Sequence, residues 1–410
     1  MLLRTISALS AFMMIVSLAP AHAQWQRISS IGEYSYALSS SGGSVYVGTE
    51  TAVHRSDDGG VSWSPCAPLP DEAVPVLSVL AWNDDVFIAP YLRGVLHSRD
   101  KGATWLRVGN PALPFTVTDM VVVDDTLYAG TDGEGVYAIA LGHPGPWRAL
   151  NDGLYFGVSR GIHAIASTPT HLLAGAGQNG GVYRRAFGTS EWERIELEAG
   201  HPTLTAYDFH VTDAHVFAAT NNGVYRAPLD ASRWEYVGIR ALPTLDAAAI
   251  TEASGVLYAG ITRGDYFIAS SGDAGEHWMV TDHEFALLYD LHAHAGRLLA
   301  AREDGLWWRA ITTPTGGEHP MPAGNGVIRA LYPQPAHEEM HVLVDAAAGG
   351  TATLRLVDML GRTVLERDID GTGLPATVTL PVAALPHGVY RVLVQDGRRV
   401  EMRSVLLGAQ

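Results

Sequence analysis

Leu127-Tyr128-Ala129-Gly130 is followed by a polar turn, by Gly135-Val136-Tyr137 and, 20 residues after the leucine, by Trp147. The rest of the chain repeats this passage. Val45-Tyr46-Val47-Gly48 and Val86-Phe87-Ile88-Ala89 precede it, and Leu172-Leu173-Ala174-Gly175, Val216-Phe217-Ala218-Ala219, Leu257-Tyr258-Ala259-Gly260 and Leu298-Leu299-Ala300-Ala301 follow. The seven copies stand 41 to 45 residues apart. Tryptophans at 63, 105, 147, 192, 234 and 278 keep step, with gaps of 42, 42, 45, 42 and 44 residues. Helical periodicity is nearly absent between them, and short β-rich runs alternate with Gly, Asp and Asn turns.

One unit is therefore four short strands in roughly 43 residues, the size of a propeller blade. A lone four-stranded sheet cannot bury both faces, whereas radially stacked sheets cover one another. The seventh copy, Leu298 to Ile311, lacks a following Trp strand, and the first has a spare one upstream, Trp25-Gln26-Arg27-Ile28. Pairing the two removes an open edge. The expectation is an all-β chain, with a seven-bladed β-propeller over 24–312.

Three copies carry a sharper motif, S-x-D-x-G-x-x-W: Ser56, Asp58, Gly60 and Trp63; Ser98, Asp100, Gly102 and Trp105; Ser271, Asp273, Gly275 and Trp278. Ser and Asp can accept bonds from turn amides, Gly takes positive φ, and Trp buries a large apolar body. These turns resemble the Asp-box (BNR) repeats of sialidase-like propellers over residues 24 to 312. The resemblance implies structural rim turns, with Asp58, Asp100 and Asp273 not catalytic.

The chain has 410 residues and carries 43 acids against 27 Lys and Arg, a net charge of −16. Such a surface repels phosphate backbones, so nucleic acid is not an expected partner. Cys66 is the one cysteine, so no internal disulfide forms. Residues 1–23 read as a signal peptide: Arg4, an apolar run from Ile6 to Leu18, and an Ala21-His22-Ala23 cleavage site. No later run has the length and apolarity of a transmembrane segment.

After Ile311 the repeat stops. Residues 313–326 read as a Pro/Gly-rich linker, and alternating runs such as Ala352-Thr353-Leu354-Arg355-Leu356-Val357 predict a small Ig-like β-sandwich over 327–410. Tyr332-Pro333-Gln334-Pro335, Asp358-Met359-Leu360-Gly361-Arg362 and Leu385-Pro386-His387-Gly388-Val389-Tyr390 are similar to the landmarks of the type IX secretion C-terminal sorting domain. That resemblance implies the type IX machinery as partner and a secreted or cell-surface protein. An accessory glycan-binding domain is the other reading.

Sialidase-like chemistry needs an arginine cluster, a Tyr/Glu pair and an acid. Arg93, Arg263 and Arg302 are expected in loops after second strands, and Arg160 before a first strand. The ring has seven blades where that family usually has six, and its Tyr/Phe-Arg-Ile-Pro motif is missing. Asp132 with Glu134, and Glu303 with Asp304, pair acids on turns. The seven-bladed Asp-box glucanases are also similar, but their cleft lies between two propellers. Tyr155 and Phe156 offer either a stacking surface or a cap on blade four. Counting nine residues back from Tyr46 and its equivalents aligns Asp119, Asp208 and Asp290 on innermost strands. They form either a channel ring able to hold a cation or a set of carboxylates bonded to neighbouring amides. His292 and His294 share a face, with His210 in the register of His292. No other cofactor or metal site is expected. The function expected is a non-catalytic exported propeller binding a glycan or a protein, with a sialidase-like glycoside hydrolase as the alternative.

Overall fold

The computed structural model describes residues 25–311, except 71–72, 143–144, 155–160, 179, 196–203, 238–245, 263–265, 277 and 284–285. It also describes 328–407, except 333–338, 345–350, 359–361, 371–375, 387 and 397–398. The signal and linker segments, Arg160, Arg263, Tyr155 and Phe156 lie outside the described residues.

Residues 26–310 form seven four-stranded antiparallel sheets. Their innermost strands are Ser35–Ser41, Val76–Trp82, Val117–Val123, Ile162–Ser167, Ala206–Val211, Ala247–Ala253 and Leu288–His294. Each innermost strand packs beside the next, and the seventh returns to the first. The chain is thus a seven-bladed propeller.

The repeated tetrapeptides are the second strands. Val45, Tyr46 and Val47 are all buried, because each sheet is covered on both faces; that is why the run is apolar without alternation. Its last residue is small for a separate reason. A Cβ on Gly48 would stand 2.6 Å from the Val76 carbonyl oxygen, and one on Gly175 would stand 2.7 Å from that of Ala206. The next blade's innermost strand begins against that position, so Gly48 and Gly175 leave no room for a Cβ, while blades two, five and seven carry nothing larger than Ala89, Ala219 and Ala301 there.

Closure uses the N-terminal strand. Gln26 pairs with Trp308 and Arg27 with Trp307 of the seventh blade. The amide of Ile28 donates to the Leu306 carbonyl at 2.8 Å. Ile28 and Ile31 are buried with Leu299 and Leu306, which contributes about 1.5–3 kcal/mol for each isoleucine.

The S-x-D-x-G turns are built alike. Ser56 Oγ donates to Asp58 Oδ1 at 2.8 Å and accepts from the Gly60 amide at 2.8 Å. Asp58 also accepts from the Ser62 amide and hydroxyl at 2.8 and 2.6 Å. Ser98, Asp100, Gly102 and Thr104 reproduce the set, and Ser271 with Asp273 and Gly275 its serine half. Gly60, Gly102 and Gly275 take φ of 87°, 86° and 91°. These bonds hold the Asp58 and Asp100 carboxyls below the usual carboxylate range.

The outer strands are tied across blades. Trp105 Nε1 donates to the Ala67 carbonyl at 3.1 Å, Trp147 to Val108 at 3.1 Å, and Trp278 to Val237 at 2.6 Å. Third-strand arginines reach the other way. Arg55 donates to the Lys101 carbonyl, Arg184 to that of Asp230 and Arg226 to that of Ala274, each at 2.8–2.9 Å.

Residues 328–407 form two further sheets, one of three strands and one of four. They share a core that includes Val342, Leu354, Leu356, Leu380, Val392, Val394 and Val405. Arg362 closes the Asp358 turn, its amide and Nε donating to the carboxylate at 2.9 and 2.7 Å. Tyr390 Oη donates to the Pro386 carbonyl at 2.8 Å.

Candidate functional site at the mouth of the channel

All seven innermost strands carry a bulge at the same place. Pairing with the second strand skips one residue between Ser35 and Ala37, Val76 and Ser78, Val117 and Asp119, Ile162 and Ala164, Ala206 and Asp208, Ala247 and Ala249, and Leu288 and Asp290. The skipped residues are Tyr36, Leu77, Thr118, His163, Tyr207, Ala248 and Tyr289. In every blade the residue before the bulge is buried and the bulge residue is at least partly open. A bulge re-aims one side chain without disturbing the ladder beyond it. Repeated seven times, it sets a collar of side chains at the end of the channel where the innermost strands begin.

The collar is aromatic in two places. Tyr36 and Tyr289, from adjoining blades, have ring centroids 5.1 Å apart, and Tyr34 meets Tyr36 edge-on at 6.3 Å. Across the ring, His163 and Tyr207 meet edge-on at 5.8 Å. Burial first, then the charges of Glu50 and Glu303 respectively, push the Tyr36 and Tyr289 hydroxyls up. Both therefore stay protonated and can donate in a negative field. Tyr91 and Leu92, which follow the second strand of blade two, are exposed large side chains.

Below the collar lie the three aspartates. Asp119 Oδ1 accepts from the Met120 amide at 2.8 Å, and Oδ2 accepts from the Ile165 amide of the next blade at 2.8 Å. Asp208 accepts from Ile250 at 2.7 Å, and Asp290 accepts from Leu38 at 2.7 Å. An innermost strand is a sheet edge whose outward amides have no ladder partner, and these carboxylates satisfy them. Burial pushes Asp119 and Asp208 up to about 7 and Asp290 well above the carboxylate range, with neighbouring aspartates adding to the rise at Asp208 and Asp290. The described residues contain no group of three or more His, Cys, Asp or Glu placed to hold a metal.

His292 Nε2 and Ser40 Oγ are 2.7 Å apart, and His292 stacks near His294 at 6.5 Å. Burial brings His292 down to about 4. His210 faces Glu252 at 3.9 Å rather than a shared ligand site.

Two of the four candidate arginines are described. Arg93 is half-buried, and its carbonyl accepts from Arg107 Nη1 at 3.2 Å. Arg302, expected in a loop, is instead the last residue of the second strand of blade seven, paired with Leu288. It is 4% exposed, bonded through Nε to Asp304 Oδ1 at 2.9 Å, and its guanidinium lies 4.5 Å from the Trp307 ring centroid. Asp304 is thereby engaged, and Glu303 accepts from the Leu287 amide at 3.3 Å. Asp132 and Glu134 are both exposed on one turn. Sequence reasoning missed the collar. Its only signal is the residue just before the aligned aspartate register.

Residues 330–407 match the family model of the secretion system C-terminal sorting domain. This segment is a type IX secretion sorting domain, and the protein is exported to the cell surface or beyond it. No helix among the described residues is long and apolar enough to cross a membrane. No curated protein matches the chain in sequence. Solved structures share the propeller fold. YCF48 bound to D1 peptide has 15% identity and a TM-score of 0.58, covering 72% of this chain and 97% of its own. The extracellular domain of the hybrid two component system BT3049 from B. thetaiotaomicron has 14% identity and a TM-score of 0.60, over 94% of this chain and 57% of its own. PorZ, a bacterial surface component of the type-IX secretion system of Porphyromonas gingivalis, has 14% identity and a TM-score of 0.52, over 92% and 60%.

Proposed function

We propose that this exported propeller is a non-catalytic binding protein whose ligand, a glycan or a protein segment, docks on the collar at the channel mouth. The seven in-phase bulges carry the reading. They present Tyr36, Tyr289, Tyr207 and His163 on a rigid ring, where fixed aromatic faces stack a ligand at low entropic cost. The hydroxyls of Tyr36 and Tyr289 add donors for a sugar or peptide acceptor. The resemblance of the rim turns to Asp-box repeats fits the same architecture, in which the rim is structural and the face is used.

A glycoside hydrolase finds less support. Arg302 and Asp304 are spent on each other, and Asp132 and Glu134 share a turn instead of facing across a cleft. The test is a glycan and peptide array probed with the full chain, with and without EDTA, beside the Tyr36→Ala/Tyr289→Ala variant. Saturable binding to one ligand class, lost at least tenfold in the variant, is expected. Equal binding by the variant would remove the collar from the site.

A further inference from the structure

On the rim, a cavity of about 240 Å³ opens between blades three and four, lined by Tyr128, Arg148, Leu172, Arg185, Phe187 and Thr189 among others. Arg148 comes from the outer strand of blade three, and Arg185 from the third strand of blade four. The two guanidinium groups share one hollow. Burial, then the charge of Arg148, lowers the affinity of Arg185 for its proton, and the opposing charge of Asp152 acts more weakly than either.

Three other third-strand arginines on the rim hold acids. Arg55 pairs with Asp57, Arg184 with Glu193, and Arg226 with Glu235 and Glu276. Arg185, the neighbour of Arg184, bonds no carboxylate among the described residues. Its Nε donates to the Thr189 carbonyl at 2.9 Å and its Nη2 to the same oxygen at 2.5 Å, so its fork is held in place, and Nη1 bonds no acceptor among the described residues. Arg148 is exposed and has no acid partner among the described residues. Two converging cations in a chain with 16 excess negative charges is an arrangement that repels itself until an anion enters.

We infer that this rim cavity binds the oxyanion group, carboxylate or phosphate, of a small acidic ligand. The planar forks of Arg148 and Arg185 take the charge. Tyr128 and the 38% exposed Phe187 flank it with aromatic surface. The site is separate from the collar and does not depend on that reading.

The experiment is calorimetric titration of the full chain with glucuronate, inorganic phosphate and, as the neutral control, glucose. Saturable binding of glucuronate or phosphate is expected, weakening with added salt, and the stronger of the two identifies the ligand class. Arg148→Glu, an exposed substitution in a short strand, should reduce affinity at least tenfold while leaving the melting temperature unchanged or raised, because a repulsion is removed. Arg185→Gln should weaken binding to a similar degree, and Tyr36→Ala/Tyr289→Ala should not. Absence of saturation by both anions, equal affinity for glucose, or unchanged binding by Arg148→Glu would each overturn the assignment.

Discussion

Asp119 bridges two blades through two amides, and the bridge has a consequence for acid–base behaviour. Its folded pKa of about 7, like that of Asp208, lies above the ordinary value of 3.8. Between those values the folded chain holds protons that the unfolded chain has released, so stability falls as pH rises through the window. His292 has the opposite sign. It is held neutral down to about 4 against an ordinary value of 6.5, so it favours the folded state less as pH drops below 6.5. From pH 8 to about 7 the aspartates outweigh the histidines, because His54, His163, His171, His210, His292 and His294, all lowered from 6.5 in the fold, take up protons in the unfolded chain mainly below that. The melting temperature is expected to rise on acidification across that interval, and the Asp119→Ala/Asp208→Ala variant, though less stable, should show a flatter profile in a thermal melt series. Cys66 gives a second residue-scale prediction. Burial pushes its thiol up to about 11, so at pH 8 it should react slowly with iodoacetamide in the native protein and rapidly in urea. The aspartate register was legible because it repeats with the blades. The collar was not, because a bulge is visible only in the pairing between strands and leaves no composition of its own. The Arg148–Arg185 hollow was equally hidden, since its two halves belong to different repeats.

At the scale of the element, the turn and the closing strand are the parts most exposed to test. Ser56 is 1% exposed and both donates and accepts within its turn. Ser56→Ala should cost about 1–3 kcal/mol in urea unfolding, since it orphans the Gly60 amide. Ile28→Ala removes a buried side chain from the strand that completes blade seven, and should cost about 2–5 kcal/mol by the same measurement. Strand count, blade size and closure could all be read from the chain, because tryptophan and the small-residue position recur at fixed intervals. Arg302 could not be placed, since strand ends depend on how far the ladder continues, and here it runs through Arg302 to Gly305.

For the whole molecule, the propeller and the sorting domain make separable predictions. A chain lacking residues 330–407 should remain inside the cell envelope, as followed by fractionation and surface labelling, because the type IX address is gone. The ring itself is not uniform. Aspartate bridges cross from blade three to four, five to six, and seven to one. At the same register blades one, two, four and six carry Ala37, Ser78, Ala164 and Ala249, none of which supplies a carboxylate. With seven members and a bridge at every second seam, the ring resolves into three clasped couples and one bachelor blade, the second. Its innermost strand meets that of the first through a lighter tie, the Ser39 hydroxyl accepting from the Ala81 amide at 3.0 Å. At the channel the couples are clasped and the remaining seams are not, while on the rim the Trp105, Trp147, Arg55 and Arg184 bonds tie across open seams.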